Sequence, residues 1–186
     1  MSFTLTAGRA IVVPIVVFGW QVVGAARAFR PVEGERGSGL AGLITLAFVA
    51  LVAGSGSETV TIGLFAVACV ALAIALLLFE WARRTVRGYY FSWIFSSDTP
   101  TFLCTDGPFA YVRNPFYTSY LLTMAATLLI RGGVYRAAVF LAMAVYFVAA
   151  ALHEERKFAR STIAADYARY KESTGRFLPK LSAMRQ

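Results

Sequence analysis

A chain of 186 residues that is 58% hydrophobic and only 15% charged is not a soluble domain, which would carry about 25% charged residues. With a mean hydropathy of +0.62 it reads as a single all-α integral membrane domain (residues 1–186) with short tails. The net charge of +8 would suggest nucleic-acid binding in a soluble protein; here anionic headgroups and the positive-inside rule account for it, so membrane lipids rather than nucleic acid are the expected partners.

Taken in order, the chain offers five apolar spans, with four crossings as the alternative count. The first, residues 10–26, is bracketed by Arg9 and Arg27 and carries Pro14, Gly19, Gln21 and Gly24, residues awkward in a soluble helix but tolerated in a membrane bundle. A loop rich in Arg, Glu, Gly and Pro follows at 29–39, then a second span at 40–54, a polar connection at 55–58 and a third span at 60–81. Residues 1–82 thus hold three N-terminal spans. Arg83, Arg84 and Arg87 mark an interface, and residues 89–103 mix aromatics with Ser, Asp and Pro without a clear period. This interfacial segment extends over 83–115. A fourth span at 116–130 turns sharply at Arg131-Gly132-Gly133 into a fifth at 134–152.

The last two spans are expected to form a tight antiparallel hairpin over 116–152. Ala125, Ala126, Ala142, Ala144, Ala149 and Ala150 would allow close approach. The second and fourth spans are short, covering only ~22 Å, so they must thin the bilayer, borrow flanking residues or be sheltered by other helices. Five crossings place the basic residues at 27–36, 83–113 and 156–185 on one side, which makes the C-terminus cytoplasmic and the N-terminus external. The tail, 153–186, is basic and amphipathic: Phe158, Ile163, Tyr167 and Tyr170 recur at helical spacing, and Gly175 offers a C-cap. No basic n-region precedes the first span, so no cleavable leader is expected. The Ala/Val/Arg-rich composition points to a bacterial source and hence to the inner (cell) membrane.

The densest polar stretch is Gly107-Pro108-Phe109-Ala110-Tyr111-Val112-Arg113-Asn114-Pro115-Phe116-Tyr117. Gly107-Pro108 is a turn signal, and Pro115 biases Asn114 out of the helical region, so a helix starts at Pro115 or Phe116. Arg113 and Asn114 then lie on irregular backbone at a helix mouth, where N–H groups and the positive dipole end suit an anionic or nucleotide-like ligand. The plainer reading is an interfacial anchor of snorkelling Arg and belt Tyr.

His153-Glu154-Glu155 ends the fifth span. Adjacent carboxylates at a helix C-terminus are unfavourable without a compensating partner. Arg113, across the hairpin, and Arg176 are available, although solvated contacts with Arg156, Lys157 or Arg160 would also serve. Two acids, Arg, Asn and several Tyr suit a zwitterionic nucleotide-like ligand, with the bilayer as the other wall. Cys69 and Cys104 make neither a disulfide framework nor a metal site, and His153, the single histidine, excludes a multi-histidine centre. No metal is expected.

The run G-P-F-A-Y-V-R-N-P-F-Y, a helical hairpin, E-E, and a terminal Y-x-x-Y with R-F-L-P together resemble the isoprenylcysteine carboxyl methyltransferase family, small membrane enzymes related to phospholipid methyltransferases. The resemblance covers residues 98–179. It implies S-adenosylmethionine as methyl donor, S-adenosylhomocysteine as product, and a lipophilic acceptor entering laterally from the membrane, with an isoprenylcysteine-like carboxylate favoured over a phospholipid amine or a small-molecule amine or thiol. Gly107, Tyr111, Arg113, Asn114, Pro115, Tyr117, Glu154, Glu155 and Pro179 would contact the cofactor under a closing tail. Arg113, Glu155 and Arg176 would position it or the acceptor. The family pattern R-H-P-x-Y-x-G is altered at Asn114 and Ser119: Asn can donate and accept but leaves no basis for an acid/base role, and Ser for Gly changes the approach of backbone to cofactor. Sterol reductases look similar in their C-terminal half and use NADPH, but are longer. A non-catalytic carrier or assembly factor would be expected to place ionisable groups at mid-depth, whereas Glu80 and Arg136 lie near span ends.

Overall fold

A computed structural model describes residues 4–28, 38–53, 59–87 and 100–180. Much of the loop expected at 29–39, the connection at 55–58 and most of the interfacial segment at 89–103 lie outside the described residues.

Strand β1 (Thr4–Thr6) leads into helix α1 (Ala7–Ala10) and α2 (Val12–Ala28), which together make one continuous span, Ala7–Arg27. Then come α3 (Ser38–Val52), β2 (Thr59–Thr61), α4 (Ile62–Thr85), α5 (Pro115–Arg131), α6 (Val134–Ala159) and α7 (Ala164–Ser173). Thr61 caps α4 by accepting from the Leu64 N–H at 3.3 Å. Strands β1 and β2 pair antiparallel, Thr4 opposite Thr61 and Thr6 opposite Thr59, a small hairpin-like ribbon that the apolar pattern did not announce.

Helices of 15 to 26 residues stand where the sequence placed five spans. Among the described residues, three are long and apolar enough to cross a membrane: Ala7–Arg27, Ile62–Thr85 and Val134–Ala159. Helix α3 has 15 residues and α5 has 17. Of the three ways a short span can be accommodated, α5 uses shelter. It lies in the middle of the bundle against α2, α3, α4 and α6, with Ser119, Thr123, Met124, Ala126 and Thr127 all fully buried.

The close helix pair differs from the expected one. Helix α5 packs most extensively on α4, not on α6. The reason is a run of small side chains on α4, where Ala68, Ala75 and Ala82 recur every seventh residue and are all at 0% exposure. Small side chains of this kind let the two axes approach. Of the alanines expected between α5 and α6, Ala126 and Ala150 are buried, whereas Ala142 and Ala149 face outward. The turn between α5 and α6 is as expected, with Gly132 and Gly133 at φ +62° and +92°.

Two buried clusters fill the bundle. One centres on Phe79, Phe116, Tyr120, Met124 and Phe147 and supports the α5 N-terminus; the other gathers Ala7, Ala10, Val60, Leu72, Ala126 and Ile130 beneath the strand pair. Arg136 on α6 closes the end of α3 by donating to the Leu51 and Ala53 carbonyls, each at 3.0 Å. These carbonyls have no partner within the helix itself.

Candidate functional site

The motif begins with a single 3-10 turn, Gly107–Ala110, seated on the last turns of α4. Gly107 has φ +57°, and a Cβ there would stand 2.3 Å from Thr85 Oγ1 and 3.1 Å from Trp81 Nε1. Glycine is required both by the backbone conformation and by the contact. Tyr111 follows, with its half-exposed ring against Trp81 at 6.1 Å between centroids.

From Tyr111 onward the chain is stitched to the segment that follows α7. Val112 bridges Gly175 in parallel register. The Gly175 N–H donates to the Tyr111 carbonyl at 3.1 Å, the Arg113 N–H to the Gly175 carbonyl at 2.8 Å and the Asn114 N–H to the Arg176 carbonyl at 3.2 Å. Asn114 Nδ2 donates to that same Arg176 carbonyl at 3.1 Å, and Thr118 Oγ1 to the Phe177 carbonyl at 3.1 Å. Tyr170 OH donates to the Phe109 carbonyl at 2.6 Å. Burial pushes the Tyr167 and Tyr170 phenols well above their usual range, so both serve as neutral groups.

Pro115 then opens α5, leaving Asn114 on non-helical backbone at φ −126° and ψ 60°, as the sequence reading expects. The next turn points Tyr117 towards α6. Its ring stacks on Phe147 at 5.0 Å and its hydroxyl donates to Glu154 Oε1 at 3.0 Å.

One residue further along α6, Glu155 takes two arginines. Arg113 reaches Oε1 through Nε at 3.3 Å and Nη2 at 3.1 Å, and its Nη1 donates to the Thr174 carbonyl. Arg176 approaches from the tail, with Nε on Oε1 and Nη2 on Oε2, both at 2.9 Å. The Glu155 and Arg113 side chains are nearly buried, while Arg176 remains one-third exposed. The carboxylate beside it holds the Arg176 guanidinium above its usual range.

The structure therefore brings Arg113, Asn114, Pro115, Tyr117, Glu154, Glu155 and Arg176 to one end of the bundle. Gly107 and Tyr111 sit at its α4 side, and Pro179 lies exposed beyond the stitched segment. Gly175 ends no helix: α7 closes on Thr174, and a Cβ on Gly175 would fall 1.6 Å from the Leu178 carbonyl oxygen. Close approach, not a left-handed C-cap, is what demands glycine there. Ser119, at the altered family position, is fully buried and donates to the Phe116 carbonyl at 2.7 Å within its own helix. Thr118 and Thr174 were not singled out by sequence reasoning. Each is a lone hydroxyl residue with no motif to mark it, and only the return of the tail gives it a partner.

A family model described as phospholipid methyltransferase matches residues 61–161. The chain belongs to the phospholipid methyltransferase family. This agrees with the resemblance carried by the motif and makes the protein an integral membrane methyltransferase. The region shared with the phospholipid methyltransferases runs from the end of β2 through α4, the 3-10 turn, α5 and α6. It includes Gly107, Arg113, Tyr117, Glu154 and Glu155, and stops before α7, Arg176 and Pro179. No curated protein matches the chain.

Proposed function

We propose that the protein transfers the methyl group of S-adenosylmethionine to a lipophilic acceptor delivered from the bilayer, and that the acceptor is an isoprenylcysteine-like carboxylate. The observation that carries this reading is the division of labour between the two adjacent acids. Glu155 is fully engaged by Arg113 and Arg176, while Glu154 turns to the Tyr117 phenol.

The donor set fits the cofactor. The Glu154 carboxylate, backed by Tyr117, can receive an ammonium group or ribose hydroxyls, and the exposed edge of Arg176 can receive a carboxylate. When bound, S-adenosylmethionine supplies a methyl carbon on a sulfonium, whose S–C bond breaks as the acceptor oxygen bonds to carbon, leaving the electron pair on the sulfur of S-adenosylhomocysteine. The chain contributes alignment and exclusion of water. The stitched tail pairs with the motif and α7 packs on α6 at that end of the bundle.

A carboxylate acceptor is already ionised and releases no proton on methylation. That suits a site whose nearest carboxylates are committed, Glu155 to two arginines and Glu154 to the cofactor. An amine or thiol would first have to lose a proton. The basic residues of the motif and tail support a cytoplasmic setting for this end, with the N-terminus external, in the inner membrane of a bacterium.

The deciding experiment is isothermal titration of detergent-purified protein with S-adenosylhomocysteine and, as control, NADPH. It is followed by labelled methyl transfer to a prenylated cysteine and to an aminophospholipid. Micromolar binding of S-adenosylhomocysteine and base-labile methyl ester formation are expected. Binding of NADPH alone would turn the assignment to a reductase, and binding of neither to folded protein would turn it to a non-catalytic role. Methylation of the amine alone would overturn the acceptor class.

A further inference from the structure

From the sequence Gln21 is only an awkward polar residue in the first span, and the proposed chemistry makes no use of it. In the structure its side chain has 0% exposure. Its Nε2 donates to the Ser119 carbonyl at 3.4 Å, and its Oε1 accepts from Thr123 Oγ1 at 3.1 Å. Both partners are on α5, just inside the turn that carries Tyr117. Both lie within the region shared with the family, and Gln21 lies outside it.

A second contact joins α2 to the same place. Gly24 packs so closely on α4 that a Cβ would stand 2.6 Å from Phe79 Cε1. The Phe79 ring in turn meets Phe116 of α5 edge-on at 5.5 Å. Apolar packing alone tolerates sliding and rotation between membrane helices. An amide buried in a spanning helix does not, because moving it strands both a donor and an acceptor where no water replaces them.

We infer that Gln21 is a positioning residue of the methyltransferase site. It sets the rotation and depth of the first turns of α5, and thereby the aim of the Tyr117 hydroxyl at Glu154. The inference rests on the reading that Tyr117 and Glu154 receive the cofactor, so one readout is chosen that needs no ligand.

The variant is Gln21→Met, of similar length and apolar, which the bilayer accepts. Hydrogen exchange of the ligand-free protein is expected to quicken at amides 116–123 while α6 stays unchanged. The Kd for S-adenosylhomocysteine is expected to rise about three- to tenfold, the effect of one interhelical hydrogen bond or somewhat more. Adding Thr123→Val to Gln21→Met should change little further, because the bond they share is already gone. Unchanged exchange and Kd in folded variant would reduce Gln21 to a space-filler, and faster exchange in every helix would reduce it to general stability. Faster exchange confined to 116–123 in a protein whose wild type binds no S-adenosylhomocysteine would sink the cofactor reading and leave the positioning of α5 standing.

Discussion

Arg176 grips Glu155 with one edge of its guanidinium, Nε on Oε1 and Nη2 on Oε2, each at 2.9 Å. One residue belongs to the segment after α7 and the other to the last turns of α6. Arg113 reaches the same carboxylate from the motif before α5. A single acid thus ties together three pieces of chain that are remote in sequence.

Glu155→Ala removes the shared partner and leaves two guanidiniums facing each other. Stripping one member from a buried ion pair costs about 3–5 kcal/mol, and the exposure of Arg176 places this site at the lower end. Arg176→Ala should cost clearly less, since Arg113 still neutralises Glu155. Thermal melts in detergent rank the two, and equal losses would contradict the shared-acid arrangement.

Tyr117→Phe and Glu154→Gln are expected to act on binding before stability. The 3.0 Å bond between these side chains is of a kind worth about 0.5–1.5 kcal/mol. Tyr117→Phe should therefore weaken S-adenosylhomocysteine binding by up to about tenfold while the aromatic stack on Phe147 preserves the melting temperature. Calorimetric titration beside a melt separates the two effects.

Gly107→Ala meets two obstacles, a left-handed φ of +57° and Thr85 Oγ1 at 2.3 Å. The first costs about 1–2 kcal/mol whatever its surroundings. Adding Thr85→Ala should recover only the steric part. Gly175→Ala has no such remedy, because the obstruction is the Leu178 carbonyl itself. Limited proteolysis should therefore find the tail after α7 released in Gly175→Ala but not in Thr85→Ala.

Arg136→Ala takes donors from the Leu51 and Ala53 carbonyls at the end of α3. A loss of about 1–3 kcal/mol is expected, with S-adenosylhomocysteine affinity unchanged because this contact lies at the far end of the bundle. Faster hydrogen exchange should be confined to the last turn of α3.

Burial pushes the Cys104 thiol up from its usual value, so the folded state favours the protonated form. The stability this gives is fully present below the unfolded thiol's pKa, about 8.5, and is lost as pH rises through the folded value. Melting temperatures should fall above that pH more steeply in wild type than in Cys104→Ala, and parallel curves would show that the thiol contributes nothing.

Much of the site could be read from residue types alone. Asn114-Pro115 must leave the helical region before α5, and two adjacent acids at the end of α6 must find cations, with Arg113 and Arg176 as candidates beside Arg156, Lys157 and Arg160. What could not be read is which acid takes them. Glu154 and Glu155 differ by one position, about 100° around the helix, and only the placement of α5 decides that one faces Tyr117 and the other the arginines. The same holds for Gly107, Gly175 and Gln21, whose partners at Thr85, Leu178 and Thr123 are set by packing rather than by local sequence.

The sequence by itself determined the class of solvent, the existence of the apolar helices, the start of α5 at Pro115 and the charge composition of the site. These follow from hydropathy and local backbone preference, which act within a few residues. Tertiary structure alone decided that α5 nests on the alanine stripe of α4 rather than on α6, that β1 and β2 join, and that the tail returns to pair with the motif. Each of those outcomes depends on the fit of side chains far apart in the chain, a property no local stretch carries.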